Sequence, residues 1–147
     1  MAADGLINLV PAARLAVDTA ALVLIWLVQL VIYPVFLHLE ATAFANWHPV
    51  YTARVTYVVA PIMLGQLSFY VATSVFAGDW SVYVNLGLVL LAWVITFFAA
   101  VPLHQLLDQP GDHLVNTGRL LTVNWLRTII WSLVWAVTLV RTLRATA

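Results

Sequence analysis

The sequence predicts an all-α integral membrane protein, a single domain over 1–147 that folds as an up-down-up-down bundle of four transmembrane helices. Hydrophobic residues make up 64% of the chain and charged residues only 8%, which is too apolar for a water-soluble domain. No charged residue interrupts 19–39, 55–78 or 80–107, and each of these runs exceeds the ~20 residues that cross a bilayer. Only helices satisfy every backbone polar group within such a run.

The first two helices are predicted from the apolar runs and from their prolines. The first covers about 13–38 and bends at Pro34, which removes one backbone hydrogen bond. The second covers about 49–77, because Pro49 is favourable in the first turn of a helix, and it bends at Pro61.

The third and fourth helices are predicted in the same way, from the apolar runs and the prolines. The third covers about 80–106 and bends at Pro102. The fourth covers about 112–144, follows a Pro-Gly turn and has Asp112 as its N-cap. This helix completes the bundle of four. Its segment 120–140 is apolar, with Arg127 as the single charged residue.

Composition excludes several classes of function. The formal net charge is zero and the chain has no lysine, which argues against a nucleic-acid partner, because nucleic acids require a basic surface. The absence of cysteine excludes disulfides, thiolate catalysis and iron–sulfur ligation by cysteine. The partners that remain are the lipid bilayer, a hydrophobic small molecule, and either a second copy of the chain or another membrane protein.

The orientation in the membrane follows from the arginines. Arg14, Arg141 and Arg144 lie at the end that carries both termini, whereas Arg54 and Arg119 lie at the opposite end. Because cytoplasmic segments are enriched in arginine and lysine, we expect both termini in the cytoplasm. The first apolar run is too long for a secretory signal peptide and has no small-residue cleavage site after it.

One end of the predicted bundle collects most of the polar side chains. If the helices alternate in direction, the end opposite the termini receives all four histidines together with three arginines and an asparagine: His38, His48, His104, His113, Arg54, Arg119, Arg127 and Asn124. Arg127 is the strongest single signal. An arginine at the centre of a transmembrane helix costs about 2.5–3.5 kcal/mol on insertion scales, so it should point into the bundle, toward an acceptor or an anionic ligand.

The candidate site is built around that arginine. Asn124, Arg127 and Trp131 recur at intervals of three and four residues, so they share one face of the fourth helix. We expect His104, Arg127 and Asn124 to carry the chemistry. The residues expected to line the binding site are His38, His48, Tyr51, Arg54, Tyr33 and Trp131. A histidine at this depth suits either a metal or haem ligand or a proton carrier, so His38, His48 and His104 are also the candidate metal ligands.

Two segments resemble a known family. The first is Val101-Pro102-Leu103-His104, and the second is Asn124-Trp125-Leu126-Arg127. Together with Pro34, they are similar to the signature of the anthrone-oxygenase-like family of small four-helix bacterial membrane proteins, although that family more often has asparagine at the position of His104. The resemblance implies a bacterial inner-membrane location and a cofactor-free oxygenation of a polyketide-like substrate at His104, Asn124 and Arg127.

The sequence therefore favours a membrane-embedded enzyme or binding protein for a hydrophobic, oxygenated small molecule of the polyketide, phenol or quinone class. An oxygenase or a proton-transfer oxidoreductase fits this hypothesis, with no cofactor favoured. The alternatives are a haem- or metal-binding membrane protein that uses the three candidate histidines, and a non-catalytic small subunit of a larger membrane complex.

Overall fold

Among the residues that the structure describes, four helices are long and apolar enough to cross a membrane. The computed structural model describes the backbone of residues 2–76 and 78–146 and the side chains of 10–76 and 78–144. We refer to the helices as spans 1 to 4, which comprise Val10–Phe36, Ala41–Phe76, Trp80–Leu107 and His113–Arg144. Consecutive spans run in opposite directions and pack side by side, which confirms the predicted all-α, up-down-up-down bundle.

Spans 1 and 3 share one construction, in which two α-helices flank a wider, π-helical turn. Span 1 belongs to α1 (Ala2–Leu27), a π turn (Val28–Ile32) and α2 (Tyr33–Phe36), and span 2 is α3 (Ala41–Phe76). Span 3 consists of α4 (Trp80–Ile95), a π turn (Thr96–Ala100) and α5 (Val101–Leu107), and span 4 belongs to α6 (His113–Thr146).

Each π turn ends two residues before a proline, Pro34 in span 1 and Pro102 in span 3. A proline has no N–H to donate, and its ring clashes with the carbonyl four residues earlier. The wider turn relieves this clash. In both spans the residue before the proline donates its N–H to a carbonyl five positions back, Tyr33 to Val28 and Val101 to Thr96. Two of the three predicted bends thus coincide with a change of helix type, while α3 continues as α-helix through Pro61.

The start of span 2 differs from the prediction. α3 begins at Ala41, and Pro49 lies inside it instead of in its first turn. Phe44 and His48 lie one turn apart on the same face and are both buried, so their packing extends the helix toward the preceding loop. α1 likewise begins at Ala2, well before the expected 13. The remaining helix ends lie within a few residues of the predicted ends.

The four spans form a ring in which each packs against two neighbours. Span 1 contacts spans 2 and 4, and span 3 contacts the same two. We call the end with both termini the terminal end, and the end with the loops at 37–40 and 108–112 the histidine end. Spans 2 and 3 contact each other mainly through α3 and α4, near the terminal end, and only sparsely through α5. They are therefore separated toward the histidine end.

Candidate functional site

A cavity of about 330 Å³ fills the space where spans 2 and 3 separate. Its floor is formed by Trp131, Met63 and Ile25, near the middle of the bundle. Its rim at the histidine end carries Asp108, and its wall carries Arg127. The lining is mostly apolar, so the few polar groups that reach the cavity would fix the orientation of a ligand.

Four side chains, three from spans 1 to 3 and one from the loop after span 3, form a continuous row of hydrogen bonds beside the cavity. The hydroxyl of Tyr33 lies 2.9 Å from Nε2 of His104. Nδ1 of His104 lies 3.0 Å from Nε2 of His48. Nδ1 of His48 lies 2.6 Å from a carboxylate oxygen of Asp108. The row begins at the buried Tyr33 and ends at Asp108, whose side chain is 39% exposed.

Packing holds the middle of this row in place. His48 is fully buried and stacks on Phe44, with ring centroids 5.0 Å apart. The edge of Phe36 closes a second side at 5.6 Å. The rings of His48 and His104 are nearly parallel, inclined by 20°. Because both imidazoles are held by aromatic contacts as well as hydrogen bonds, their nitrogens stay aligned along the row.

Arg127 enters the same cavity as an unpaired cation. It is only 7% exposed. Its Nη1 donates to the side-chain oxygen of Asn124 at 3.1 Å, and its guanidinium lies 5.2 Å from the ring centre of Trp131. Asn124 is in turn held by a 2.8 Å hydrogen bond from its Nδ2 to Gln29. Over the described side chains, no carboxylate forms an ion pair with Arg127, and its Nε has no hydrogen-bond partner.

The structure brings together most of the predicted site residues. Tyr33, Tyr51, His104, Arg127 and Trp131 line the cavity. Two others act from behind the wall, because Asn124 orients Arg127 and His48 bonds to His104.

Two predicted binding residues lie elsewhere. His38 and Arg54 are both exposed and do not line the cavity. His38 lies in the loop that follows α2, and Arg54 lies on an exposed part of α3. Proximity to the polar end does not fix which face a side chain occupies, so these two residues lie at that end without reaching the cavity.

The positions of the candidate histidines can also be compared with those that a metal site requires. Within the described ranges, no three His, Asp or Glu side chains are arranged to hold a metal ion. Of the candidates, only His48 and His104 lie together, and their ring nitrogens already bond to each other, to Asp108 and to Tyr33. A metal or haem would have to break that row and recruit a further ligand, since His38 is not within the cluster.

A second polar cluster, which sequence reasoning missed, ties the four spans together near the terminal end. At its centre is Asp18, only 1% exposed. Its carboxylate accepts hydrogen bonds from Gln66, Tyr70 and Thr138 at 2.8, 2.6 and 2.6 Å. Asn85 of span 3 donates to both Tyr70 and Thr138. All four spans therefore contribute to one network, which we call the Asp18 cluster.

Arg14 brings a positive charge to the Asp18 cluster. Its Nε donates to the Tyr70 hydroxyl at 3.2 Å, and its Nη1 donates to the Ser81 hydroxyl at 2.9 Å. Arg14 and Asp18 are four residues apart, as are Gln66 and Tyr70, and each pair shares a helix face. Polar pairs at this spacing within apolar helices were the sequence signal that could have revealed the cluster.

Asp79 lies between the Asp18 cluster and the surface of the terminal end. It caps α4 by accepting from the N–H groups of Ser81 and Val82, and it pairs with Arg141 at 2.8 Å. Partial burial alone would raise the pKa of Asp79, but the hydrogen bonds from Ser81, Arg141 and the two N–H groups outweigh it and lower that pKa to about 2.

No protein family, curated protein or solved structure matches the chain.

Proposed function

We propose that the protein binds a hydrophobic small molecule with an acidic or anionic oxygen, of the phenol, quinone or polyketide class, and removes a proton from it inside the membrane. The observation that carries this proposal is the buried, unpaired Arg127 on the wall of a largely apolar cavity. A guanidinium cannot lose its charge at any physiological pH, so it requires an acceptor.

The energetics of Arg127 favour such a ligand. A buried polar group without a partner costs about 1–3 kcal/mol, and more when it is charged. Its Nε lacks a partner among the described residues, and the nearby oxygens of Asn124 and Tyr33 are both neutral. Because Arg127 lines the cavity, a phenolate, enolate or quinone oxygen there would give its guanidinium a further acceptor. The apolar floor at Met63, Ile25 and Trp131 would bury the hydrocarbon part of the same molecule.

The separation of spans 2 and 3 gives the ligand a route from the lipid. Thr52, Val55 and Thr56 of span 2 line one side of the cavity, and Ala100 and Val101 of span 3 line the other. These side chains are small, and contacts between the two spans are sparse at this level. A lipid-soluble molecule could therefore enter sideways without crossing the polar rim.

The chemistry that fits is deprotonation with stabilisation of the resulting anion. A fixed cation in a dry site stabilises developing negative charge without reorganisation. The adjacent Tyr33–His104 pair offers a neutral imidazole to take up the proton. A deprotonated phenol or enol is the electron-rich form that an oxygenase or oxidoreductase reaction would use, in keeping with the family that the sequence resembles.

Binding of 1-naphthol to the detergent-purified protein tests the proposal, with 1-methoxynaphthalene as the probe that lacks the acidic proton. We expect the protein to prefer 1-naphthol, and Arg127→Leu to lose about 10- to 100-fold of that affinity, as a charged hydrogen bond of about 1.5–3 kcal/mol implies. Arg119→Leu, an exposed arginine of the same helix, is the matched control. Equal binding of the two probes, or an unchanged preference in Arg127→Leu, would refute the proposed function.

A further inference from the structure

We infer that Tyr33, His104, His48 and Asp108 form a proton relay of fixed polarity, which carries a proton from a ligand in the cavity to the membrane face at the histidine end. This inference rests on the proposed function for its proton donor. The geometry of the relay does not depend on the proposed function, because three consecutive contacts of 2.9, 3.0 and 2.6 Å join the four groups.

The polarity follows from counting donors and acceptors. The Asp108 carboxylate, partly exposed at the rim, can only accept, so Nδ1 of His48 must carry a hydrogen. In a neutral imidazole the other nitrogen is then an acceptor. Nε2 of His48 therefore accepts from Nδ1–H of His104, and Nε2 of His104 accepts from the Tyr33 hydroxyl. Every hydrogen in the row points toward Asp108.

The surroundings keep water away from the middle of the row. The charged or titratable groups nearest to it are Arg127 and Tyr51, which line the same cavity, and His113, which stacks on the far side of Phe44 at 4.9 Å. His48 is fully buried, so bulk water does not interrupt the middle of the row.

The transfer balances as four concerted proton shifts. The ligand O–H bond breaks and its proton binds the Tyr33 oxygen, while the Tyr33 proton moves to Nε2 of His104. The Nδ1 proton of His104 moves to Nε2 of His48, and the Nδ1 proton of His48 moves to Asp108. The ligand is left as an anion beside Arg127. Asp108 then releases one proton to water at the rim.

The transfer leaves both histidines in the opposite tautomer. A second proton cannot follow in the same direction until the row is reset. Passage of one proton back from Asp108 to the ligand site restores the starting arrangement. A reaction that first deprotonates its substrate and later reprotonates its product would use the relay once in each direction.

The polarity is tested without any ligand by 15N NMR of the histidine-labelled protein at neutral pH. We expect His48 and His104 both as neutral Nδ1–H tautomers, with their signals assigned by His48→Gln and His104→Gln. An Nε2–H tautomer at either position, or a doubly protonated ring, would overturn the relay.

The transfer is tested by mixing neutral 1-naphthol with the protein in weakly buffered solution that contains a pH-indicator dye. Naphtholate formation is read from its own absorption, and proton release from the dye. We expect the two signals to rise together. His48→Gln, which can keep both hydrogen bonds but cannot pass a proton, and Asp108→Asn should slow both by about 10²-fold or more. His113→Gln, outside the row, should leave them unchanged, and added formate should restore Asp108→Asn.

The outcomes separate the relay from the proposed function. Naphthol that binds in an Arg127-dependent way and loses its proton equally fast in His48→Gln and Asp108→Asn would overturn the relay alone, because rim water would then carry the proton. Naphthol that does not bind would refute the proposed function, and the tautomers of His48 and His104 would still decide the polarity of the relay.

Discussion

Nε2 of His48 and Nδ1 of His104 lie 3.0 Å apart, although 56 positions separate the two residues in sequence. The contact joins the beginning of α3 to α5, across a level where spans 2 and 3 otherwise touch sparsely. It thus bridges the two sides of the cavity at its rim. The histidine pair therefore serves two purposes, because it connects two diverging helices and joins His104, which lines the cavity, to His48 behind the wall.

Asp18→Asn should destabilise the bundle. The substitution keeps the shape of the side chain but removes the negative charge that three donors share, so at least one of Gln66, Tyr70 and Thr138 is left poorly paired. We expect the free energy of unfolding in detergent to fall by about 1–3 kcal/mol. Thr122→Ala is the control, because that exposed hydroxyl bonds only within its own helix. Equal stability of the two variants would show that the Asp18 cluster does not hold the bundle.

Arg127→Leu should separate ligand binding from stability. The variant removes a buried cation that forms no ion pair with the described residues, so little folding energy is lost and Asn124 keeps its bond to Gln29. We expect a melting temperature equal to or above that of the wild type, together with loss of 1-naphthol binding. A sharp fall in melting temperature would instead indicate that Arg127 maintains a structural network.

Acid should weaken the terminal end through Asp79. Its pKa is lowered to about 2 in the folded protein, below the usual value near 3.9 of an aspartate. Its ionised form therefore stabilises the fold fully above about pH 4, and this contribution is lost as the pH falls toward 2. The pair with Arg141 is more than one-third exposed, so the effect should be on the order of 1 kcal/mol or less.

Melting curves of wild type and Asp79→Asn between about pH 5 and pH 2.5 measure this contribution. The two proteins should differ in stability above pH ~4 and converge as the pH is lowered. A constant difference over the whole range would mean that the cap and ion pair of Asp79 do not respond to its ionisation.

Both termini should lie in the cytoplasm. The chain has no cysteine, so single cysteines at positions 3 and 146, and at Gln109 as a control in the opposite loop, report accessibility without interference. A membrane-impermeant maleimide added to intact cells should label position 109 alone. Labelling at only one terminus would contradict four spans, and labelling at both termini would reverse the orientation.

The fold could be predicted because the bilayer leaves few choices. Long uncharged runs must cross it as helices, and short connections must place neighbours antiparallel. The inward direction of Arg127 followed from the cost of exposing it to lipid. Both arguments use only the average properties of a segment, which the sequence displays directly.

The partners of each polar residue could not be predicted in the same way. Asp18 directly precedes the uncharged run 19–39, yet it lies at the centre of a buried cluster. Asp108 directly follows the uncharged run 80–107, yet it bonds to His48. Their roles depend on helix rotation, and a π turn alters that rotation. His104 and Asp108, four residues apart on one face, were the signal available in the sequence.

The two π turns also make the fold depend on the number of residues before each proline, and not only on which residues these are. Each turn holds one residue more than the α-helical path requires, and one residue advances a helix by about 100°. Deleting a single residue within 96–100 would let the segment close as a regular α-helix and leave α5 on the same face, but it would restore the clash between the Pro102 ring and the carbonyl four residues earlier. Inserting one residue would instead rotate α5 by about 100°, so that His104 and Asp108 would leave the cavity wall for a different face. Many substitutions in this segment should be tolerated, but few insertions or deletions, and natural variants of this architecture should therefore keep the spacing up to Pro34 and Pro102 even where the residues between differ.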